Sequence, residues 1–280
     1  MTVGVVTISV SVHKLLMLVD GTLILEVRMR TIGEKTTSPF IPENPISKNI
    51  LSKFMDEESA DVVFEVGTQS EIGRNTRKRA KTATTTFYAH RFILQDGATT
   101  LAELCKSGGS AVTTISITDV TPGIFRHLLY YVYGGKISDE DLKSNARDII
   151  DAADKYGVVG LKLEAEASLV TSTTITIENM LDNLLYATSK NCALLQEAVL
   201  DFALENSDEV SEKVSLDDVP GSVVADLFAA VSRNKNKVRG GDSLSTMRVS
   251  ELRKKLHEKG LDIDGSRKAM IATLKEHQES

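Results

Sequence analysis

Residues 117–135 read ITDVTPGIFRHLLYYVYGG, and this stretch decides the fold. Val112 to Ile117 leads into it as a strand, with Ile115 and Ile117 alternating with polar residues. Thr121 stands where a helix N-cap belongs, and Pro122 stands in the first turn, where a missing N–H costs nothing. Ile124, Phe125, Leu128, Leu129 and Val132 follow at i, i+1, i+4, i+5 and i+8, which is one apolar face of a helix. Gly134-Gly135 ends that helix.

Working outward, Asp61-Val-Val-Phe-Glu-Val66 reads as a short buried strand ending at Gly67. A polar, basic stretch runs from Thr68 to Thr85, and Phe87-Tyr-Ala-His-Arg-Phe-Ile-Leu94 is a strand running into a helix. Leu101, Leu104 and Cys105 continue a short helix, stopped at Gly108-Gly109. On the other side the chain is helical. Ile149, Ile150, Ala153, Tyr156, Leu161 and Leu163 mark 148–169, with a break expected at Gly157 and Gly160. Apolar stripes follow at Met180, Leu181, Leu184 and Leu185, then at Leu194, Leu195, Ala198, Val199 and Phe202. Val219-Pro220 opens another short helix through Val224, Leu227 and Phe228. Residues 232–242 are polar, basic and Gly-containing, which predicts a flexible linker. A two-helix unit closes the chain, lined by Val249, Leu252 and Leu256, capped at Gly260, then lined by Met270, Ile271 and Leu274. At the other end, residues 3–30 read as strands around a turn at Asp20-Gly21, and 33–49, with Pro39, Pro42 and Pro45, read as a linker.

The whole is an α+β chain of 280 residues, 41% apolar and 26% charged, which excludes wholesale disorder. Its net charge of −6 excludes a polybasic coat for nucleic acid, and the absence of Trp argues against stacking platforms for single-stranded bases. Cys105 and Cys192 are far apart and suit a reducing compartment. The apolar N-terminus has no basic flank and is too short to cross a bilayer, so the chain reads as soluble and intracellular, with no membrane partner. No G-x-S-x-G, P-loop or G-x-G-x-x-G motif is present, and the five histidines do not sit at metal-ligand spacing. The expectation is therefore a protein that is not an enzyme and has no cofactor or metal. His90 and His127 read as structural histidines and Cys105 as a small apolar filler.

Two basic clusters stand out. Arg74 to Lys81 holds five bases in eight positions, with Arg77, Lys78, Arg79 and Lys81 as a candidate nuclear-import segment. The final 243–280 carries 8 bases against 6 acids, a net of only +2.

Residues 61–170 resemble a BTB/POZ domain. The resemblance is carried by Asp61-Val-Val-Phe64, Phe87 to Leu94, Ile117 to Phe125, Leu128 to Gly135 and Ala152-Ala-Asp-Lys-Tyr156. Asp154-Lys-Tyr156 followed by Leu161-Lys162 is similar to the speckle-type POZ group, in which a MATH domain comes first. Residues 1–32, through Leu15 to Arg30, resemble the last strands of such a domain, most of which is absent from this chain. The resemblance thus divides the chain into a partial MATH-like segment (1–32), a linker (33–49), a BTB/POZ domain (50–170), a BACK-like helical region (171–231), a linker (232–242) and a SAP motif (243–280). The SAP motif rests on Met247 to Leu252, Leu256, Lys259-Gly-Leu261, Gly265-Ser-Arg267 and Met270 to Leu274. It departs from the family's pattern at Thr273, where Arg is usual, and at Arg267, where Lys is usual.

These resemblances imply a non-catalytic scaffold that homodimerises and joins a substrate to a cullin-based ubiquitin ligase, with Leu101, Leu104, Phe125, Leu129, Tyr130 and Tyr133 on partner-binding faces. Lys106 to Val112 departs from ligase adaptors, because it lacks their hydrophobic-x-Glu element. The SAP resemblance implies contact with DNA, often AT-rich, or with RNA. Backbone amides at Gly265, Ser266 and Arg267 would meet phosphate, with Arg253, Lys254, Lys259 and Lys268 adding charge. The implied location is the nucleus, with the cytoplasm as alternative. A nuclear DNA-binding dimer with no ligase link is the second reading.

Overall fold

The computed structural model describes residues 45–67, 84–107, 112–215, 219–221, 223–228, 230 and 243–279, and four short strands within the first 44. The basic segment 74–81, Asp20-Gly21, Gly108-Gly109 and the 232–242 linker lie outside the described residues.

The sheet forms because β5 (Val62–Val66) alternates: Val62, Phe64 and Val66 are buried while Val63 and Glu65 are not. It pairs antiparallel with β6 (Thr85–Ala89) and parallel with β7 (Thr113–Ile117), which sets Phe64 opposite both Phe87 and Ile115. Helix α4 (Pro122–Val132) begins as its sequence dictates, with Thr121 Oγ1 accepting the Ile124 N–H at 3.4 Å. Its Phe125 is an aromatic hub. The ring makes edge contacts with Phe64 and Phe87, both at 5.2 Å, and with Tyr156 at 6.2 Å.

Four helices complete this core: α1 (Pro45–Ser52), α2 (Arg91–Gly97), α3 (Thr99–Leu104) and α6 (Ala146–Tyr156). Helix α6 ends at Gly157, whose φ of +72° few other residues adopt. Asp119, at the foot of α4, accepts from Lys155 Nζ at 2.6 Å and from Tyr156 Oη at 2.9 Å, which pins the end of α6 to the start of α4. His90 is structural: its Nδ1 lies 2.7 Å from Tyr133 Oη and its Nε2 lies 2.8 Å from Ser59 Oγ. Cys105 is buried, as a filler is.

The remaining helices are α5 (Asp139–Ser144), α7 (Val159–Ser172), α8 (Met180–Ser189), α9 (Ala193–Glu205), α10 (Ser207–Lys213), α11 (223–228), α12 (Ser243–Thr246), α13 (Val249–Glu258) and α14 (Arg267–Glu279). In a separate N-terminal unit, β1 (Ser9–Val10) pairs with β4 (Met29–Arg30) and β2 (Leu15–Met17) with β3 (Leu23–Leu25), all antiparallel, so the strands nest.

Three expectations are corrected. The linker expected over 33–49 does not extend to its end, because Pro45 sits at the first position of α1 and starts a helix there. Gly160 does not break the chain but lies in the first turn of α7. It is glycine because a Cβ there would come within 2.6 Å of Tyr131 Oη. The two-helix C-terminal unit does not hang free on a tether: Val249 of α13 and Asp264, just before α14, are bonded to α9 and α7.

Phe125→Ala empties the hub and should cost about 3–5 kcal/mol in urea-denaturation measurements. Asp119→Asn probes pH dependence. Burial alone would raise the Asp119 carboxyl, but bonds from Lys155 and Tyr156 outweigh it and leave the group below its usual range. Its contribution is present above the ordinary carboxylate range and lost as pH falls through the lowered value. The stability gap between wild type and this variant should therefore close on acidification.

Candidate functional site

Four of the six expected partner-contact residues are not on the surface. Leu101, Phe125, Leu129 and Tyr133 are fully buried, because the first three sit on the inward stripes of α3 and α4 and Tyr133, just past the end of α4, packs in the same core. Tyr130 is half-buried against Phe54, with ring centroids 5.2 Å apart, and Leu104 is 45% exposed.

Phe92 at 75% and Val112 at 59% are exposed on the same domain, and Phe228, beyond it on α11, is 69% exposed. Arg91 explains the position of Phe92 and Val112. Its backbone N–H donates to Asp61 Oδ1 at 2.8 Å, its guanidinium donates to the Thr113 hydroxyl, and the Thr113 N–H donates to the Asp61 carbonyl at 3.2 Å. Phe92 follows Arg91 and Val112 precedes Thr113, so the network brings the chain at these two exposed apolar residues to one end of the sheet, and Leu104 is a third exposed apolar group, on α3. The missed signal was the Phe-Ile-Leu run of α2: three successive apolar residues in a short helix cannot all face one core.

The second site is the seam where the C-terminal unit meets the body. Lys162 and Glu166, one turn apart on α7, are 2% and 1% exposed. Lys162 Nζ pairs with Asp154 at 2.7 Å and with Asp264 of the C-terminal unit at 2.8 Å. Burial works against its charge, but the two carboxylates outweigh burial and raise its pKa, so it stays a cation. Glu166 Oε1 accepts the N–H groups of Leu194 and Leu195 at the start of α9, while Oε2 pairs with Arg253 at 2.7 Å. Glu197 of α9 accepts the Val249 N–H at the start of α13 at 3.2 Å and pairs with Arg248, which also reaches Asp201. Burial pushes the Glu197 carboxyl up, against the opposing pull of Arg248 and the Val249 N–H. Ala193 completes the apolar cluster of Leu244, Val249, Leu252, Leu256, Met270 and Leu274.

The expected nucleic-acid set is therefore divided. Arg253 is largely buried on Glu166. Arg267 donates to the carbonyls of Ser245 and Met247, both at 2.8 Å, so it ties α12 to α14. Lys254, Lys259 and Lys268 are exposed, and Gly265 and Ser266 are half-buried. Burial raises both cysteine thiols, Cys192 to about 12, so neither is a thiolate at neutral pH. Among the described residues no group of acids, His or Cys is placed to hold a metal, and no helix is long and apolar enough to cross a membrane.

A small mixed sheet with clustered helices, followed by a docked helix pair, defines the class. Residues 51–173 match the family model of the BTB/POZ domain and residues 243–279 that of the SAP domain, so the chain carries both. BTB/POZ domains are protein-interaction modules, and SAP domains are associated with nucleic-acid contact. Among curated proteins, the mouse TD and POZ domain-containing protein 1 is 32% identical over 103 residues, 37% of this chain and 28% of its own length. The mouse TD and POZ domain-containing protein 3 is 30% identical over 128 residues, 45% of this chain and 34% of its own length. The chain spans about a third or less of the length of these relatives.

The seam makes a sharp contrast between two adjacent bases. Arg253→Met strands the buried Glu166 charge and should cost about 3–5 kcal/mol in chemical denaturation. Lys254→Met, at a side chain 78% exposed, should stay within about 0.5 kcal/mol.

Proposed function

We propose that this chain is a non-catalytic interaction scaffold that pairs with a second copy through its BTB/POZ domain and contacts nucleic acid through its SAP domain. The observation that carries the reading is the exposure of three apolar side chains, Phe92, Leu104 and Val112, on a domain whose other large apolar groups are mostly packed. The same patch on two copies suits a self-complementary, two-fold interface.

Within that role, an adaptor joining a substrate to a cullin-type ubiquitin ligase follows from the likeness of 61–170 to speckle-type POZ proteins. The BACK-like extension over 171–231, carried by α8 to α11, belongs to the same reading, as does a MATH-like origin for 1–32. Lys106 to Val112, which has no Glu, favours the second reading: a nuclear, DNA-associated dimer without a ligase. The Arg77-Lys-Arg79 and Lys81 segment and the SAP domain both support a nuclear location.

Phe92→Glu should turn a dimer into a monomer in light scattering at micromolar concentration while leaving the circular dichroism unchanged. A wild-type chain that is already monomeric there refutes the pairing. Capture of a cullin by the full chain at micromolar concentration selects the adaptor, and its absence selects the DNA-associated dimer.

A further inference from the structure

We infer that the SAP domain is latched against the body, whose acids hold the cations and cover the helix end that a duplex would otherwise take. This rests on the nucleic-acid reading above and adds its regulation. Three independent observations carry it.

Two of the three arginines of residues 243–279 are held by the body: Arg253, 14% exposed, by Glu166, and Arg248, half exposed, by Glu197 and Asp201; Arg267 is engaged within the unit by two backbone carbonyls. The carboxylates on α7 and α9 thus stand where phosphates would stand for Arg248 and Arg253, and the Arg253 pair with Glu166 lies in a setting drier than a duplex surface.

One of the three expected phosphate-binding amides, that of Gly265, is already engaged, and the Ser266 hydroxyl caps the helix that follows. The Gly265 N–H donates to Asp264 Oδ1 at 2.8 Å, the Ala269 N–H donates to Ser266 Oγ, and Asp264 is itself held by the buried Lys162. The space in front of that turn is closed by the body. Ser266, Arg267 and Lys268 form one wall of a cleft of about 370 Å³, and Gln196, Glu197 and Asp226 form the other. That is the size of a small-molecule pocket and far below what a duplex needs.

The exposed bases, Lys254, Lys255, Lys259, Lys268 and Lys275, stand among the exposed acids Glu251, Glu258, Asp262 and Glu276. Lys254 faces Glu258 at 4.0 Å, Lys259 lies 3.3 Å from His277 Nδ1, and Glu251 is exposed among them. A duplex therefore meets a nearly neutral face while the seam is shut. Opening the seam frees Arg248 and Arg253 together with the start of α14.

The test uses the full chain and two variants that remove no base: the double substitution Glu166→Gln with Glu197→Gln, and the single Asp264→Asn. Hydrogen–deuterium exchange of the free proteins reads the seam through residues 249–274. Fluorescence anisotropy of a labelled AT-rich duplex over a salt series reads binding. Both variants should lose protection at the seam and bind about tenfold tighter. Their salt slope should be steeper by about 2, from two added phosphate contacts at roughly 0.9 each. A seam that stays protected in both variants overturns the latch. A wild-type chain that binds as tightly as variants with an opened seam overturns the latch and leaves the nucleic-acid reading standing. No binding by any of the three, with the seam open, overturns that reading and the latch with it.

Discussion

Lys162 and Glu166 are the constraint on which the arrangement of this molecule depends. They stand one helical turn apart on α7, are of opposite sign, and are both nearly inaccessible to water. An isolated buried charge is too costly to keep, so each must be met by partners at short range. Those partners come from three places in the chain: Asp154 at the end of α6, the amides that open α9, and Asp264 and Arg253 of the SAP domain. One helix thereby joins the BTB/POZ core, the helical extension and the C-terminal unit. The apolar contact of Ala193 with the SAP core adds to this join, but non-directional burial does not set its register. The ion pairs do, since each requires one geometry.

The core beneath is organised differently. Phe125 meets Phe64, Phe87 and Tyr156, so strands β5 and β6 and helix α6 are referred to a single ring on α4. Asp119 repeats the link in polar form, through Lys155 and Tyr156. Because the packing around α4 is complete, the exposed apolar groups at Phe92, Leu104 and Val112 are not leftovers of a poor core. Phe92 and Val112 are chain neighbours of Arg91 and Thr113, whose bonds to Asp61 and to each other fix the backbone there. Rigid presentation lowers the entropy lost on association.

Much of the core was legible from local signals. The Thr121 cap, the stripe through Ile124 and Leu128, and the alternation of Val62, Phe64 and Val66 depend on near neighbours in the chain, and each appears as read. The short helix α5 was passed over, although Ser138 ahead of an acidic first turn marks its start. The partner faces were read less well. Leu101, Phe125, Leu129 and Tyr133 belong to apolar stripes, and a stripe records only that a face is covered. Whether its own core or another chain covers it depends on what lies opposite.

The sequence by itself determined the α+β class, the likeness to BTB/POZ and SAP domains, the strand and helix positions of the core and the structural role of His90, because these follow from periodicity, caps and residue type over short separations. Tertiary structure alone decided that Arg253 is an internal strut while its neighbour Lys254 is a surface charge, and that the C-terminal unit is docked. The reason is physical: Arg253 and Glu166 are 87 positions apart, a residue's charge is written in its type, and the partner that neutralises it is set by where the folded chain brings the opposite charge.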